Sequence, residues 1–348
     1  MNIFKGLGDF FALDIGTNAI RAVQLKRQPT GWLLEHYGYA PVDSRLTSSD
    51  SEESRRKVSE VIITAVGQSG IKSKNVVIGL PSNKTFTTVV DMPMASEAEL
   101  RATMKYQIDQ YIPMSIDDAK VDWALLGNSL RAQNQQEVLL SSVAKTYSED
   151  RLEMVEALGF NVIAAEPDPI AMVRALTVPG AQGAVVQLDM GETSTDIAVV
   201  YGDTPRLVRT IPTGISSLVK AAVSNLNVQD DQARQFILKF GLATDRLEGQ
   251  VYRALDGTLE AFSVEVNKSI KFFETRYPST AVSSVMVTGF AAVIPGLDNY
   301  LASKTGKPVS IANPWQGITM SQEDQKKLSA VGTEFSTVVG LAKREGKI

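Results

Sequence analysis

A chain of 348 residues, of which 44% are apolar and 21% charged, can bury more than one core, which excludes a disordered or low-complexity protein. The absence of cysteine excludes disulfide frameworks, thiolate catalysis and thiolate-bound zinc, and it favours a location inside the cell. The net charge of −4 and the mixing of basic with acidic residues leave no basic surface for a nucleic acid partner.

The single histidine, His36, lies in the strand-like run Leu33–Tyr37 and is predicted to be structural, so a histidine-based triad or metal site is not expected. The N-terminal residues Met1–Lys5 lack the long apolar segment and the cleavage site of a signal peptide. The uncharged stretch Tyr277–Leu297 has membrane-spanning length, but prolines and glycines interrupt it. It is therefore predicted to contain a strand, a turn and the start of a helix.

The first predicted element is a β-hairpin with a glycine turn, and a second copy of it occurs much later in the chain. An apolar strand from Phe11 leads into an Asp-x-Gly turn and a second β-rich run, Ile20–Leu25. The same frame recurs from Gln187, with its second run over Thr195–Val200, and the two copies predict a duplicated α/β chain. The polar turn residues are Asp14, Gly16, Thr17 and Asn18 in the first copy and Asp189, Gly191, Glu192 and Thr193 in the second.

These paired turns predict a phosphate-binding cleft. Glycine lets backbone N–H groups approach phosphate oxygens, and an acidic side chain at the end of a strand can hold a hydrated Mg²⁺. The alternative is a pair of unrelated surface turns, since Asp and Gly are common in turns of every kind. We expect Asp14 and Asp189 to be exposed carboxylates of one cleft, so that replacing either by Ala weakens Mg²⁺–nucleotide binding without unfolding the protein.

Between the two hairpins, helical and strand patterns alternate, as expected for α/β lobes with an insertion. The spacing of apolar residues predicts a helix over Glu52–Gly67 and a buried strand over Val76–Gly79. Ser96 and Glu99 form a capping box for a further helix that ends before Pro113. The apolar stripe of that helix, which contains Met and Tyr, is assigned to core packing.

The second half of the chain is richer in helix. Amphipathic patterns predict helices over Glu149–Leu158 and Ile170–Leu176, and the latter is expected to cross between lobes. The charged stretch Leu218–Phe273 is predicted to be helical, with interruptions at Gly241 and Gly257.

Taken in chain order, these segments resemble the actin-like ATPase superfamily over the whole chain. The resemblance implies two α/β lobes with duplicated ribonuclease-H-like cores that close on a nucleotide. The matching segments are a first phosphate loop at Asp14–Asn18, a second at Asp189–Ser194, connecting helices at Pro169–Leu176 and Phe335–Lys343, and an adenosine loop at Val287–Ala291.

Within this superfamily, a set of less general segments resembles the PilM family of type IV pilus assembly proteins. Their order and spacing match the inserted small α/β subdomain and the first connecting helix of that family. The segments are Val77–Ser82, Met92–Met94, Glu97–Leu100 with Tyr111–Pro113, and Ala165–Leu176.

The PilM resemblance implies a non-enzymatic cytoplasmic adaptor that binds ATP or ADP with Mg²⁺. It also implies capture of the N-terminal cytoplasmic tail of a PilN-like inner-membrane protein, attachment to the inner face of the membrane through partners, and a link to pilus motor ATPases. We expect the tail to bind in an apolar groove between the inserted subdomain and the first lobe. The implied domains are a first-lobe core (1–75), the inserted subdomain (76–159), a connecting helix (160–182), a second-lobe core (183–215), a helical subdomain (216–282), the second-lobe core with the adenosine loop (283–317) and a return to the first lobe (318–348).

The nucleoside contacts of this chain depart from the pattern that it resembles. Members commonly have two adjacent glycines in the adenosine loop, where this chain has Gly289 and Phe290. Relatives often hold the ribose with a glutamate and a lysine, in places that Arg234 and Ile237 occupy here. We therefore expect loose nucleotide binding with negligible turnover. The resemblance assigns nucleotide contacts to Gly214, Arg234, Gly289 and Phe290 besides the two turns, and it assigns Mg²⁺ coordination through water to Asp14 and Asp189.

Two other functions remain open within the same superfamily. A filament-forming relative of FtsA or MreB would share the fold, although the charged tail from Lys343 lacks the apolar face of a membrane-binding helix. A small-molecule kinase would need a positioned base for its acceptor, and Glu166 and Asp168 are further candidates, for which helix capping is a sufficient role.

Overall fold

The computed structural model describes residues 9–49, 51–329 and 331–345 of the chain. The segment Met1–Lys5, on which the expectation of no signal peptide depends, lies outside these residues, as do the outer ends of the first and last predicted domains. Three β-sheets and the helices packed on them organise the described residues. No helix in this part of the chain combines the length and the apolar character needed to cross a membrane.

The first lobe is built on a six-stranded sheet. Helices α2 (Glu52–Ser69) and α4 (Lys145–Glu156) pack on it, and the short α1 (Ser44–Thr47) contacts α2. Val58, Ile62 and other apolar residues of one face of α2 are buried against the sheet, as the spacing predicts. The strands are, in spatial order, β14 (Ile318–Thr319), β3 (Gly31–Pro41), β2 (Ala19–Gln28), β1 (Phe11–Ile15), β4 (Asn75–Leu80) and β8 (Asn161–Pro167).

The second lobe is built on a five-stranded sheet, and four helices share one hydrophobic core with it. The helix interruption predicted at Gly257 is wrong. Helix α8 (Gln250–Arg276) continues through this residue, and a Cβ added there would meet no neighbouring atom within the described residues. The helices are α6 (Ile215–Leu226), α7 (Asp230–Phe240), α8 (Gln250–Arg276) and α9 (Leu297–Thr305). The strands are, in spatial order, β11 (Thr204–Ile211), β10 (Thr195–Tyr201), β9 (Ala184–Met190), β12 (Val282–Gly289) and β13 (Val309–Ile311).

The two lobes share one topology. In the first lobe β1 pairs antiparallel with β2 and parallel with β4, and in the second lobe β9 pairs antiparallel with β10 and parallel with β12. The spatial order β3-β2-β1-β4 is thus repeated as β11-β10-β9-β12. The predicted duplication and the α/β fold class are confirmed.

A third, three-stranded sheet forms the inserted subdomain. Helix α3 (Glu97–Gln107) buries Leu100 and Met104 against this sheet, and the predicted capping box of Ser96 and Glu99 closes its first turn. The sheet begins at Thr85, whereas β4 pairs in the first-lobe sheet, so the predicted start of the subdomain at residue 76 is too early. The strands are, in spatial order, β5 (Thr85–Pro93), β7 (Gln135–Ala144) and β6 (Ala119–Asn128).

Two connecting helices lie between the lobes. Helix α5 (Asp168–Leu176) packs against β10 and β11 of the second lobe, and α11 (Ser336–Ala342) packs against β1, β2 and β4 of the first. The two helices cross where Gly340 meets Ala171, so closely that an added Cβ would overlap the Ala171 carbonyl oxygen. The prediction that the helix around Ile170–Leu176 crosses between lobes is confirmed. The remaining helix, α10 (Gln322–Leu328), follows β14.

The inserted subdomain also contacts the second lobe, through buried charges. Glu137 of β7 is fully buried and forms an ion pair with Arg206 of β11, which is itself 6% exposed. At the end of α8, Arg276 donates to the Val89 carbonyl oxygen at 2.8 Å and pairs with Asp91 at 3.4 Å. The subdomain, which was expected to be attached to the first lobe, therefore also contacts the second lobe and bridges the two.

Candidate functional site

The two glycine turns face each other across one cleft between the lobes, as predicted. This arrangement follows from the duplicated topology, because each turn joins the two strands of a hairpin at the equivalent place in its sheet. Gly289, the last residue of β12, and Phe290, which follows it, form part of the same wall. The predicted site residues that line the cleft are Asp14, Gly16, Thr17, Asn18, Asp189, Gly191, Glu192, Thr193, Gly289 and Phe290.

The first turn is held by an arginine that sequence reasoning did not single out. Asp14 pairs in register with Arg21 across the hairpin, and Arg21 Nη1 donates to Asp14 Oδ2 at 3.3 Å. The same guanidinium donates to Asn18 Oδ1 at 3.4 Å and forms an ion pair with Glu334, which precedes α11. A Cβ added at Gly16 would lie 2.8 Å from Arg21 Nη1, so glycine is required for this close approach.

The expectation that both cleft aspartates are exposed is wrong for Asp14. Asp14 is 6% exposed and ion-paired, while Asp189 is only partly buried. Removing the Asp14 carboxylate would leave the buried Arg21 with Glu334 as its remaining charged partner, and this change would affect folding as well as ligand binding. Replacing Asp189 therefore tests ligand binding with less effect on folding than replacing Asp14.

The second turn is supported from behind by the start of α6. Gly191 N–H donates to the Ser194 carbonyl oxygen at 2.8 Å, which closes the turn. Ile215 N–H donates to the Gly191 carbonyl oxygen at 3.1 Å. A Cβ at Gly214 would lie 2.5 Å from the Glu192 carbonyl oxygen, so this glycine permits the contact. The structure places Gly214 behind the turn and outside the cleft lining.

The loop after β12 completes the cleft. Gly289 has φ of 62° and ψ of −141°, and an added Cβ would overlap Asp189 Oδ1, so only glycine fits here. The ring of Phe290 belongs to the second-lobe core and is 8% exposed. The nucleotide contact that the resemblance assigns to Phe290 would therefore involve only the small exposed part of this residue.

Arg234 lies at the edge of the cleft, where it joins α7 to the second turn. Its guanidinium binds both carboxylate oxygens of Glu192, with Nη1 and Oε2 3.2 Å apart. Its Cζ also lies 5.8 Å from the centroid of the Phe290 ring. Ile237, in the place of the family's lysine, is fully buried in the second-lobe core and offers no polar contact.

Besides Asp14, five acidic side chains line the cleft, and desolvation raises the pKa values of three of them, Asp168, Asp189 and Asp196. Burial, followed by repulsion from Asp196, raises the pKa of Asp189 to about 7. Burial raises the pKa of Asp196 to about 6, although hydrogen bonds from Ser82 and Thr210 oppose this. Burial, then the charge of Asp14, raises the pKa of Asp168 well above its ordinary value. The Asp168 Oδ1 atom is buried and has no hydrogen-bond partner in the described part of the chain.

These charges fit a hydrated cation. Among the described residues that line the cleft, Arg21 is the sole basic side chain, against six carboxylates. No three acidic or histidine side chains within the described ranges converge closely enough to hold one ion directly. Mg²⁺ commonly keeps several waters and binds through one or two carboxylates and the phosphates of its ligand. Asp14 and Asp189 fit that role, because they end equivalent strands on opposite sides of the cleft.

We predict that Mg²⁺ affinity increases about tenfold between pH 6 and pH 8, because a proton competes for Asp189, whose pKa is about 7. This pKa is raised above that of the unfolded chain. Without a cation, stability is therefore lost as the pH rises through about 7, and Mg²⁺ should restore it. Calorimetry at both pH values would measure the affinity, with Asp189→Asn as the control that removes the titrating group. Equal affinities at pH 6 and pH 8 would refute the prediction.

Sequence reasoning missed several residues of the cleft. Arg21 and Asp196 occupy matching positions, each paired across its hairpin with the predicted aspartate, so the repeat contained a signal for both. Asp168, a candidate kinase base for which helix capping is a sufficient role, begins α5 at the cleft wall, and no side-chain hydrogen bond caps this helix among the described residues. Glu334 and Thr337 come from the far end of the chain, and no local pattern points to them.

Comparisons with known proteins agree with this geometry. The family model described as type IV pilus assembly protein PilM matches residues 12–346. A structure described as a PilM-PilN type IV pilus biogenesis complex is 20% identical, covers 96% of this chain and 97% of that chain, and has a TM-score of 0.82. The ethanolamine utilization protein EutJ from Carboxydothermus hydrogenoformans is 15% identical over 95% and 88% of the two chains, with a TM-score of 0.55.

MreB5 of Spiroplasma citri bound to ADP is 11% identical over 95% of this chain and 94% of that chain, with a TM-score of 0.51. At these identities the three structures show the fold, which is that of the actin-like ATPases. The family match spans nearly the whole chain and agrees with the resemblance in the sequence. The protein therefore belongs to the PilM family and is a type IV pilus assembly protein.

Proposed function

We propose that this protein is a cytoplasmic adaptor of the type IV pilus platform that binds a Mg²⁺–nucleotide complex, ATP or ADP, between its lobes. The observation that carries this proposal is the convergence of two glycine turns, each following an acidic strand end, on one cleft. Such turns suit phosphate oxygens, which accept from backbone N–H groups. The ADP named for MreB5 of Spiroplasma citri gives further support by analogy of fold.

In this proposal the acidic side chains bind the cation and the turns bind the phosphates. Asp14 and Asp189 would hold Mg²⁺ through water, and the cation would neutralise the repulsion between phosphates and carboxylates. The turn residues Gly16–Asn18 and Gly191–Thr193 would bind the phosphates from the two lobes. A ligand that contacts both lobes stabilises the closed arrangement, which is useful for an adaptor.

We further propose that turnover is negligible. Hydrolysis needs a group that orients and activates water, and Asp168 is the cleft residue that an enzymatic function would use. At saturating Mg²⁺–ATP we expect binding by calorimetry and almost no phosphate release over hours. Turnover near one per second, lost in Asp168→Asn, would contradict the adaptor function and favour an enzyme. Absence of any Mg²⁺-dependent binding would contradict the nucleotide site.

The second part of the proposal concerns the partner. A groove lies between the inserted sheet and the first lobe, and the tail of a PilN-like membrane protein would bind there. Ser142 and Ser148, both almost fully buried, line the groove with hydroxyl groups that find no hydrogen-bond partner among the residues the structure describes. Within the described residues β6 is an edge strand that pairs with β7 alone, and its residues Lys120, Val121 and Asp122 line the groove, so an extended peptide there could add main-chain hydrogen bonds to β6. Apolar lining residues are Leu80, Val121, Val143, Leu152 and Ala165.

The groove can be tested by site-specific photo-crosslinking. A crosslinker at Thr85, on the groove wall, should capture the N-terminal tail of the PilN-like protein. The matched control is Phe272, which is 53% exposed on α8 of the second lobe. Capture at Phe272 and not at Thr85 would show that the assignment is wrong.

The proposed location follows from this partner. A tail held in the groove would place the protein at the inner face of the membrane. The structure described as a PilM-PilN complex supports a PilN-like partner. The link to pilus motor ATPases depends on the family resemblance and stays a prediction.

A further inference from the structure

We infer that a cavity of the second lobe, remote from the cleft, is a docking site for an arginine side chain of a partner protein. The cavity has a volume of about 230 Å³ and lies at the opposite end of the sheet from the cleft. Strands β9 and β12 both begin at the cavity and end at the cleft. The two sites share no lining residue in the described part of the chain, so the cavity is independent of the proposed nucleotide site.

The inner wall of the cavity contains a buried amide with an unused oxygen. Gln187 of β9 lines the cavity and is 1% exposed. The Thr177 hydroxyl donates to the Val173 carbonyl oxygen at 2.7 Å, so it can accept from Gln187 Nε2, which lies 3.4 Å away. This arrangement leaves Gln187 Oε1 as the amide atom without a hydrogen-bond partner among the described residues. Because an unpaired buried acceptor is costly, a ligand that donates to Oε1 removes this cost.

The mouth of the cavity has a negative charge without a counterion. Asp203 is exposed and belongs to the two-residue turn between β10 and β11, in which Gly202 and Asp203 have φ of 59° and 62°. Its carboxylate accepts from the Gly180 N–H at 3.3 Å and forms no ion pair within the described ranges. Asp203 is also the one charged side chain among the described residues that line the cavity. The mouth therefore attracts a cation.

An apolar wall joins the inner amide to the mouth. Val178, beside the mouth, is 41% exposed and extends this apolar surface outwards. The other large apolar residues of the lining are Leu176, Val185, Val200 and Met286.

These three features together match an arginine side chain. Its methylene stem packs on apolar surface, and its guanidinium has five N–H donors and no acceptor. The guanidinium is also more weakly hydrated than an ammonium group, so it is the cation that loses less on entering a partly apolar cavity. In the proposed complex the guanidinium donates to Gln187 Oε1 and the stem lies against the apolar wall. Asp203 compensates the charge from the mouth.

The test is an NMR titration of the full chain, followed through the side-chain amide signal of Gln187. The probes are N-acetylarginine methylamide, its citrulline counterpart, which has the same shape without the charge, and its norleucine counterpart, which keeps only the stem. We expect the arginine probe to bind with a dissociation constant of about 1 mM, a modest value for a ligand of this size. The citrulline and norleucine probes should bind about tenfold more weakly or worse, because each lacks the charge.

Two variants separate the contributions of the mouth and the inner wall. Asp203→Asn removes the charge and keeps the turn, because Asn tolerates a left-handed backbone. It should reduce the affinity for the arginine probe to about that for the citrulline probe. Gln187→Met keeps the volume and removes the acceptor, and it should weaken the arginine probe by about tenfold, here followed through the backbone amide of Val185. The control Asp245→Asn, an exposed aspartate outside the cavity, should change nothing.

Each outcome supports or overturns the docking site. No shift of the Gln187 signal at about 20 mM arginine probe would overturn it. Equal binding of the norleucine probe would show an apolar cavity without preference for a cation, and unchanged affinity in Asp203→Asn would contradict the role of the mouth. Tighter binding of free arginine than of the blocked probe would indicate an amino acid ligand and overturn a partner protein. If circular dichroism shows that Gln187→Met does not fold, Asp203→Asn decides.

Discussion

Replacing Asp189 by Asn should weaken Mg²⁺–nucleotide binding by about 30-fold to 150-fold while leaving the protein folded. The change removes one charged ligand of the hydrated cation, and a hydrogen bond to a charged group contributes about 2–3 kcal/mol. The fold should tolerate the change for two reasons. Asp189 keeps part of its surface exposed to solvent. Its carboxyl group is also desolvated enough to have a pKa of about 7, so the fold favours the neutral form over the charged one. An uncharged amide there relieves a desolvated charge at pH 8, so the unliganded variant should be at least as stable as the wild type.

The matched control is Asp245→Asn, since the Asp245 side chain is 79% exposed and lies outside the cleft. Calorimetry would measure the affinity of both variants, and thermal unfolding without ligand would measure their stability. Unchanged affinity in Asp189→Asn would count against a cation held by this strand end. Reduced stability in the unliganded variant would show that Asp189 has a structural role as well.

Replacing Glu137 by Ala should lower the free energy of unfolding by about 3–5 kcal/mol, the cost of leaving a buried charge without its partner. Glu137 is fully buried in the inserted subdomain, and its partner Arg206 belongs to the second lobe. The double variant Glu137→Leu/Arg206→Met removes both charges and keeps the volume. We expect it to regain most of the stability that the single change loses.

Urea unfolding of the two variants and the wild type would measure this difference. The control is Arg56→Ala, because Arg56 and Glu60 form an exposed pair with side chains 65% and 61% exposed. Such a pair contributes about 0–1 kcal/mol. If Glu137→Ala cost no more than this control, the inserted subdomain would not be bound to the second lobe through this pair.

Much of the fold could be read from local patterns in the chain. Capping residues such as Ser96 and Glu99 act within a single turn, and the alternation of apolar residues sets which face is buried. The duplicated hairpins could also be found, because each Asp-x-Gly turn depends on a few consecutive residues. Two predictions made from the same kind of local pattern were wrong: the helix interruption at Gly257 and the start of the inserted subdomain at residue 76. Gly257 is compatible with a helix when its surroundings are open, and β4 shares its apolar character with strands of either sheet.

The composition of the cleft depends on contacts between residues far apart in the chain. Glu334 reaches Arg21 only because α11 packs on the first-lobe sheet, and Asp168 reaches the cleft because α5 begins there. Burial raises the pKa values of Asp14 and Asp189, and the charge of Asp196, from the neighbouring strand, adds to the effect at Asp189. None of these features has a sequence signal, since desolvation depends on the atoms that surround a group and not on its neighbours in the chain.

The sequence by itself determined the family, the duplicated α/β architecture and the two glycine turns, because these depend on short-range patterns and a repeated frame. Tertiary structure alone decided which charges face one another: Arg21 with Glu334, Arg234 with Glu192, and Glu137 with Arg206. Each of these pairs joins elements that are distant in the chain. Their strength comes from burial, which exists only once the lobes and the inserted subdomain have packed together.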